Sequence, residues 1–269
     1  MRNFALTLSY DGSRYRGWQK QGNTGATIQG KLEDTLSRLL SQPVEVSGAG
    51  RTDAGVHARQ QTATFQAETA LSCAEILDGL RSHLPEDIGA QALTEAPPRF
   101  HARLSCKGKT YLYRIWNSAA PCVFERKYVW RVPEPLDAER MRRAAAALVG
   151  THDFAAFHTG RSKKSTVRTV DRIDISPSGE ELRLLFSGDG FLYNMVRIMT
   201  GTLVEVGAGR MEPGAAAAAL ESRDRAQSGP TAPPQGLFLW ETRYDPPVFG
   251  LDTTVNENRF HDLRGMQNA

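Results

Sequence analysis

The chain has 269 residues, 40% of them hydrophobic, with 33 basic and 30 acidic side chains and a net charge of +3. That length allows one large domain or two modest ones, and no apolar run reaches the length of a membrane span. So small a charge does not mark a nucleic-acid binder by itself. Local clusters matter more, and the preference for arginine over lysine reflects either phosphate contact or a GC-rich genome. Cys73, Cys106 and Cys122 are odd in number and widely spaced. They argue against a disulfide framework and a zinc site, and fit a reducing cytoplasm.

In chain order, residues 3–10 alternate and predict a strand rather than a signal peptide. Residues 11–26 form a loop in which Tyr10, Tyr15 and Trp18 interleave with Arg14, Arg16 and Lys20. Such a mixture suits RNA contact, or else Tyr15 and Trp18 pin the loop to the body. Thr27 caps a predicted helix over 28–41 with Ile28, Leu32 and Leu36 on its apolar face. Val44–Val46 and Gln61–Phe65 read as strands. Ser72 and Glu75 form a capping box for a helix that Pro85 stops, and 88–96 is a further strand.

Residues 99–109 are basic, with Arg99, His101, Arg103, Lys107 and Lys109, and lead into a strand over 109–116. Asp137 caps a helix running through Leu148. His152, Asp153 and His158 do not share a helical face, so a turn is expected there rather than a metal site. Residues 161–168, RSKKSTVR, are either a phosphate-contacting loop or a solvated surface run. Residues 171–175 and 181–186 flank a turn and predict a hairpin. After Gly188-Asp189-Gly190 comes a helix with a stripe of Leu192, Met195, Val196, Met199, Leu203 and Val206. A short helix over 215–220 and a strand over 237–243 follow, and a loosely ordered tail is expected over 245–269.

The densest chemistry lies in residues 48–59, GAGRTDAGVHAR. A turn between two strands usually needs one glycine; three predict a molecule approaching the backbone closely. Asp53, with Arg51 two residues before it, is a candidate nucleophile or base. An ordinary polar turn is the plain alternative. The spacing GxGxxxxG is a poor dinucleotide fingerprint. Asp53-Ala54-Gly55 approaches an aspartic-protease triplet, but Gly188-Asp189-Gly190 is a poor second copy, and that chemistry needs two carboxylates.

The segment Gly50–Ala58, GRTDAGVHA, resembles the signature of the tRNA pseudouridine synthase A family. Three further segments are similar to that family in the same order: Leu8–Gln19, LSYDGSRYRGWQ; Lys109-Thr110-Tyr111; and Gly188–Gly207, GDGFLYNMVRIMTGTLVEVG. The resemblance spans most of residues 3–244. It implies an α+β fold of two similar domains, 1–104 and 105–244, followed by the 245–269 tail. Each domain would be a mixed, mostly antiparallel sheet with helices on one face, with an active-site cleft between them. It implies isomerisation of uridine to pseudouridine at positions 38, 39 and 40 of the tRNA anticodon stem-loop, without metal or cofactor, by a cytoplasmic homodimer. Asp53 is then the nucleophile, Tyr111 stacks on the flipped uracil, and Arg197 pairs with Asp53, lowers its pKa and keeps it ionised. Arg51 guides or replaces the flipped base. Lys109, Arg161, Lys163, Lys164 and Arg168 are the expected RNA-contacting residues.

Overall fold

The computed structural model describes residues 1–160 and 165–249. The first half contains β1 (Arg2–Tyr10), α1 (Ile28–Leu39), β2 (Val46–Gly48), β3 (His57–Ala67), α2 (Cys73–His83) and β4 (Ile88–Glu95). The helix caps form as the sequence predicts. The Thr27 hydroxyl accepts from the Gly30 N–H, and both arms of the Ser72–Glu75 capping box are made. Each satisfies backbone donors that a helix start would otherwise leave open.

The second half contains β5 (Cys106–Trp116), β6 (Trp130–Arg131), α3 (Ala138–Ala146), β7 (Gly150–Asp153), β8 (Val167–Ser178), β9 (Glu181–Gly188), α4 (Met195–Gly207), α5 (Ala215–Ser222) and β10 (Leu237–Tyr244). Asp137 caps α3 by accepting from the Glu139 and Arg140 N–H groups. β7 stands where a turn is predicted, because residues 150–153 pair with the start of β8, which begins at Val167. Pro177 is tolerated in β8 because β7 covers only residues 167–170, leaving that end of β8 at the open edge.

The expected pair of sheets is one mixed, mostly antiparallel sheet. Among the described residues its order is β4-β1-β3-β10-β5-β9-β8-β7, with β2 on β3 and β6 on β5. The last strand closes the gap between the halves. β10 runs parallel to β3 through Phe238 opposite His57 and Leu239 opposite Ala58, and antiparallel to β5. That pairing brings the start of β10 beside the start of β3, four residues after Asp53.

The core forms on both sides of this junction. Ile28, Leu32 and Leu36 of α1 and Ile76 and Leu80 of α2 are buried with Phe4, Leu6 and Leu8 of β1. Phe4 and Phe65 stack at 5.0 Å across β1 and β3. In the second half Met141, Met199, Leu203, Leu184 and Phe186 are buried in the same cluster. Each such side chain stabilises the fold by about 1.5–3 kcal/mol, so the elements that hold the cleft are firmly anchored.

Candidate active site

A cleft of about 990 Å³ opens along the sheet. Its lining comes from the 16–21 loop, residues 46–56, the 101–111 stretch and residues 191–197. Asp53, Arg51, Lys109, Tyr111, Arg168 and Arg197 all line it. Arg161, Lys163 and Lys164 lie outside the described residues.

The loop carrying Asp53 is fixed from three sides. Trp18 N–H donates to the Thr52 carbonyl at 2.9 Å, and Gly55 N–H to the Tyr15 carbonyl at 3.3 Å. The Tyr10 and Thr52 hydroxyls meet at 2.8 Å. Gln61 of β3 clasps Gly50, donating to its carbonyl at 2.7 Å and accepting from its N–H at 3.3 Å. Tyr15 and Trp18 are buried, so they do pin the 11–26 loop to the body. Arg16, by contrast, is exposed in the cleft.

The glycines prove less open to a visitor than their number suggests. A Cβ on Gly48 would lie 2.5 Å from the Trp18 indole. Gly55 has φ +78°, a left-handed turn conformation, and sits against Pro234. Gly50 stands among cleft side chains, with Lys109 Cε and the Tyr111 hydroxyl 3.4 and 3.7 Å from where a Cβ would stand. Two of the three glycines therefore serve internal packing and turn geometry.

Arg197 reaches this loop from the first turn of α4. Its Nη1 lies 3.7 Å from Asp53 Oδ2, inside the ion-pair limit. The pair is an ion pair beyond hydrogen-bond distance. The guanidinium is held elsewhere, Nε donating to the Ala232 carbonyl at 2.7 Å and Nη1 to Asn194 Oδ1 at 2.8 Å. Among the described residues the Asp53 carboxylate accepts no hydrogen bond. Burial pushes the Asp53 pKa above the ordinary aspartate value, and Arg197 offsets this only in part. The lowering expected from Arg197 is present, but burial outweighs it and the net shift is upward, because the carboxylate is mostly withdrawn from water and one cation at 3.7 Å does not compensate.

Tyr111 lies on β5, buried, with its ring edge-on to Phe191 at 5.3 Å. Burial raises its phenol pKa far above the usual value, and Tyr10 and Asp53 add to the effect. The group therefore enters any reaction as a neutral O–H donor. Lys109, two residues earlier on the same strand, has its pKa pushed down, chiefly by burial and further by the Arg103 and Arg168 guanidiniums. Arg103 and Arg168 line the cleft beside it, making one end of it cationic.

A sequence model of the family described as tRNA pseudouridine synthase matches residues 7–104 and 144–245. The chain belongs to this family. It is 45% identical over 240 residues to the tRNA pseudouridine synthase A of Bacillus sp. (strain KSM-64), an alignment covering 89% of this chain and 98% of that protein. It is 43% identical over 245 residues to the tRNA pseudouridine synthase A of Pelobacter propionicus, covering 91% of this chain and all of the other. A Clostridium tetani relative, tRNA pseudouridine synthase A 2, is 43% identical over 246 residues, 91% and 99% of the two chains. The matched segments carry Arg51, Asp53, Arg168 and Arg197, while Lys109 and Tyr111 fall between them.

Two cleft features escaped the sequence reading. Phe191 reads as one more apolar residue before a helix, yet it packs against Tyr111 at the cleft. Asn194 falls inside the helix that the sequence stripe starts at Leu192, whereas in the structure it stands just before α4 and its side chain makes no capping bond. Among the described residues no group of His, Cys, Asp or Glu is arranged to hold a metal ion, and no helix is long and apolar enough to cross a membrane.

Proposed function

We propose that this enzyme converts uridines 38, 39 and 40 of the tRNA anticodon stem-loop to pseudouridine, with Asp53 as the nucleophile. The observation that carries the reading is the Asp53 carboxylate, largely buried and facing Arg197, in a cleft with one cationic end. The reaction breaks the bond from ribose carbon 1′ to uracil nitrogen 1 and forms one from carbon 1′ to carbon 5. Atoms and electrons balance within the nucleotide, so its chemistry calls for no redox cofactor and no metal. It does call for a carboxylate near carbon 1′ or carbon 6, a dry pocket for the detached base and an acceptor for the carbon 5 proton.

Asp53 supplies the carboxylate. Its raised pKa makes it a stronger base and nucleophile than an exposed aspartate, and Arg197 keeps enough of it ionised to act. Tyr111 forms one wall for the uracil, and its neutral hydroxyl is available as a donor to a carbonyl oxygen of the ring. Arg51, exposed at the mouth of the cleft, guides the extruded base or fills the gap it leaves. Lys109 and Arg168, with Arg161, Lys163 and Lys164, meet the phosphates, reading backbone shape more than sequence.

The chain reads as two domains, 1–104 and 105–244, in keeping with the two segments that the family model matches. Packing of α1 with α2, and of α3 with α4 and α5, favours one helical layer for each. Action as a homodimer in the cytoplasm is part of the same proposal. The test is to incubate unmodified tRNA with the protein and map the product with a pseudouridine-specific label. Label at positions 38, 39 and 40 with mass conserved supports the reading. Abasic sites would make the protein a hydrolase, and unchanged tRNA would make it a binding protein.

A further inference from the structure

The helix that carries Arg197 begins in an unusual way. Thr27, Ser72 and Asp137 each cap their helix by accepting a backbone N–H. Asn194 stands at the corresponding place before α4, and asparagine is among the best capping residues. Its side chain nevertheless makes no capping bond, and its backbone is left-handed at φ 62°, ψ 3°. Asparagine tolerates that region better than most residues, though glycine is freer in it.

The amide is spent on two other partners. Oδ1 accepts from Arg197 Nη1 at 2.8 Å, and Nδ2 donates to the Thr159 hydroxyl at 2.7 Å. Arginine can only donate, so the oxygen must be the atom that faces it, and the nitrogen is left for Thr159. The neighbouring backbone is tied to the same segment, with the Tyr193 carbonyl 3.2 Å from His158 Nδ1. Arg197 is thus held at two corners, Nε on the Ala232 carbonyl and Nη1 on Asn194. Nη1 carries two hydrogens. One is taken by Asn194, and the other is free for Asp53 Oδ2, 3.7 Å away.

We propose that Asn194 is a positioning residue for the reaction, aiming the Arg197 guanidinium at Asp53 and linking that pair to the Thr159 segment. The inference rests on the reading that Arg197 serves Asp53. Its physical content is rotational. A guanidinium held only at Nε swings about its last side-chain bonds, and Nη1 leaves the carboxylate. Burial then acts on Asp53 with less opposition, and the acidic limb of the pH–rate profile moves to higher pH. The charged and titratable groups that line the cleft with this site are Arg51 beside Asp53, Arg197 from α4, Tyr111 and Lys109 from β5, Arg168 from β8 and His158 on the Thr159 segment. Asn194→Gly and Thr159→Val leave all of these side chains in place.

The experiment compares the full chain with Asn194→Gly, which keeps the left-handed backbone accessible and removes only the amide. Turnover of unmodified tRNA is followed across the acid-to-neutral range, with Arg197→Met alongside. For Asn194→Gly, kcat should fall about tenfold while KM stays within about threefold, and the acidic limb should shift upward. Wild-type kcat, or a reduced kcat with an unmoved limb, would overturn the inference. The second arm separates the two readings. If Arg197→Met is crippled and Asn194→Gly is silent, only the role of Asn194 falls; if Arg197→Met turns over normally, the role of Arg197 falls and that of Asn194 with it. Thr159→Val, which removes the other partner of the amide, should shift the limb in the same direction by less. Should Asn194→Gly fail to fold, the Thr159→Val profile decides, and an unmoved limb there overturns the inference.

Discussion

The indole of Trp18 occupies the space that a side chain at Gly48 would need. A Cβ built on Gly48 would lie 2.5 Å from Cε2 and Cζ2 of the ring, closer than carbon atoms approach. The 11–26 loop and the end of β2 are therefore fitted to each other, and the Asp53 loop begins one residue after Gly48. Gly48→Ala should destabilise the protein by about 1–3 kcal/mol, the usual cost of overpacking a filled site. Denaturant unfolding measures it, and an unchanged midpoint would mean that Trp18 moves aside freely.

This relationship also marks how far the sequence could be read. The caps at Thr27, Ser72 and Asp137 and the buried stripes of α1 and α2 are local patterns, and they are legible without a structure. The glycines of the 48–55 stretch are not, because what fills the space beside Gly48 comes from thirty residues upstream. β6 has two residues and β7 four, too few for periodicity to register. The place of β10 between β3 and β5 is a long-range fact that no local window contains. In the site, Asp53, Tyr111 and Arg197 were legible through the family resemblance. The direction of the Asp53 pKa was not, because burial is a property of the assembled cleft. Asn194 was hidden because the apolar stripe begins at Leu192 in the sequence, while the helix itself starts only at Met195.

The raised pKa of Asp53 has a consequence for stability. Between the ordinary aspartate pKa and the raised folded value, the folded state binds more protons than the unfolded state. Stability therefore falls as pH rises through that window, and remains lower above it. Asp53→Asn removes this burden. Its melting temperature should exceed that of the wild type at neutral pH, and the difference should vanish as pH falls below the ordinary aspartate range. A variant less stable than wild type at neutral pH would mean that the Arg197 contact outweighs the burial of the charge.

Binding of tRNA should weaken steeply with salt, as cationic side chains release counterions from RNA phosphates. Arg103, Lys109 and Arg168 crowd one end of the cleft closely enough for the two arginines to depress the Lys109 pKa, an arrangement that an arriving phosphate would relieve. Arg103→Ala combined with Arg168→Ala should flatten the dependence of log K on log salt by about one unit or more, at about 0.7–0.9 for each phosphate no longer neutralised. An unchanged slope would remove that end of the cleft from the RNA path.

The central claim is that the Asp53 carboxylate performs the chemistry, and one measurement addresses it most directly. Asp53→Asn keeps the shape of the side chain and removes its charge and nucleophilicity. Unmodified tRNA would be incubated with this variant and with the wild type, the product read with a pseudouridine-specific label, and tRNA binding measured in parallel. The account predicts no labelled product from the variant while its tRNA affinity stays within about tenfold of the wild type, about 1.4 kcal/mol. Labelled product from Asp53→Asn at an appreciable fraction of the wild-type rate, in protein verified free of deamidation, would contradict it.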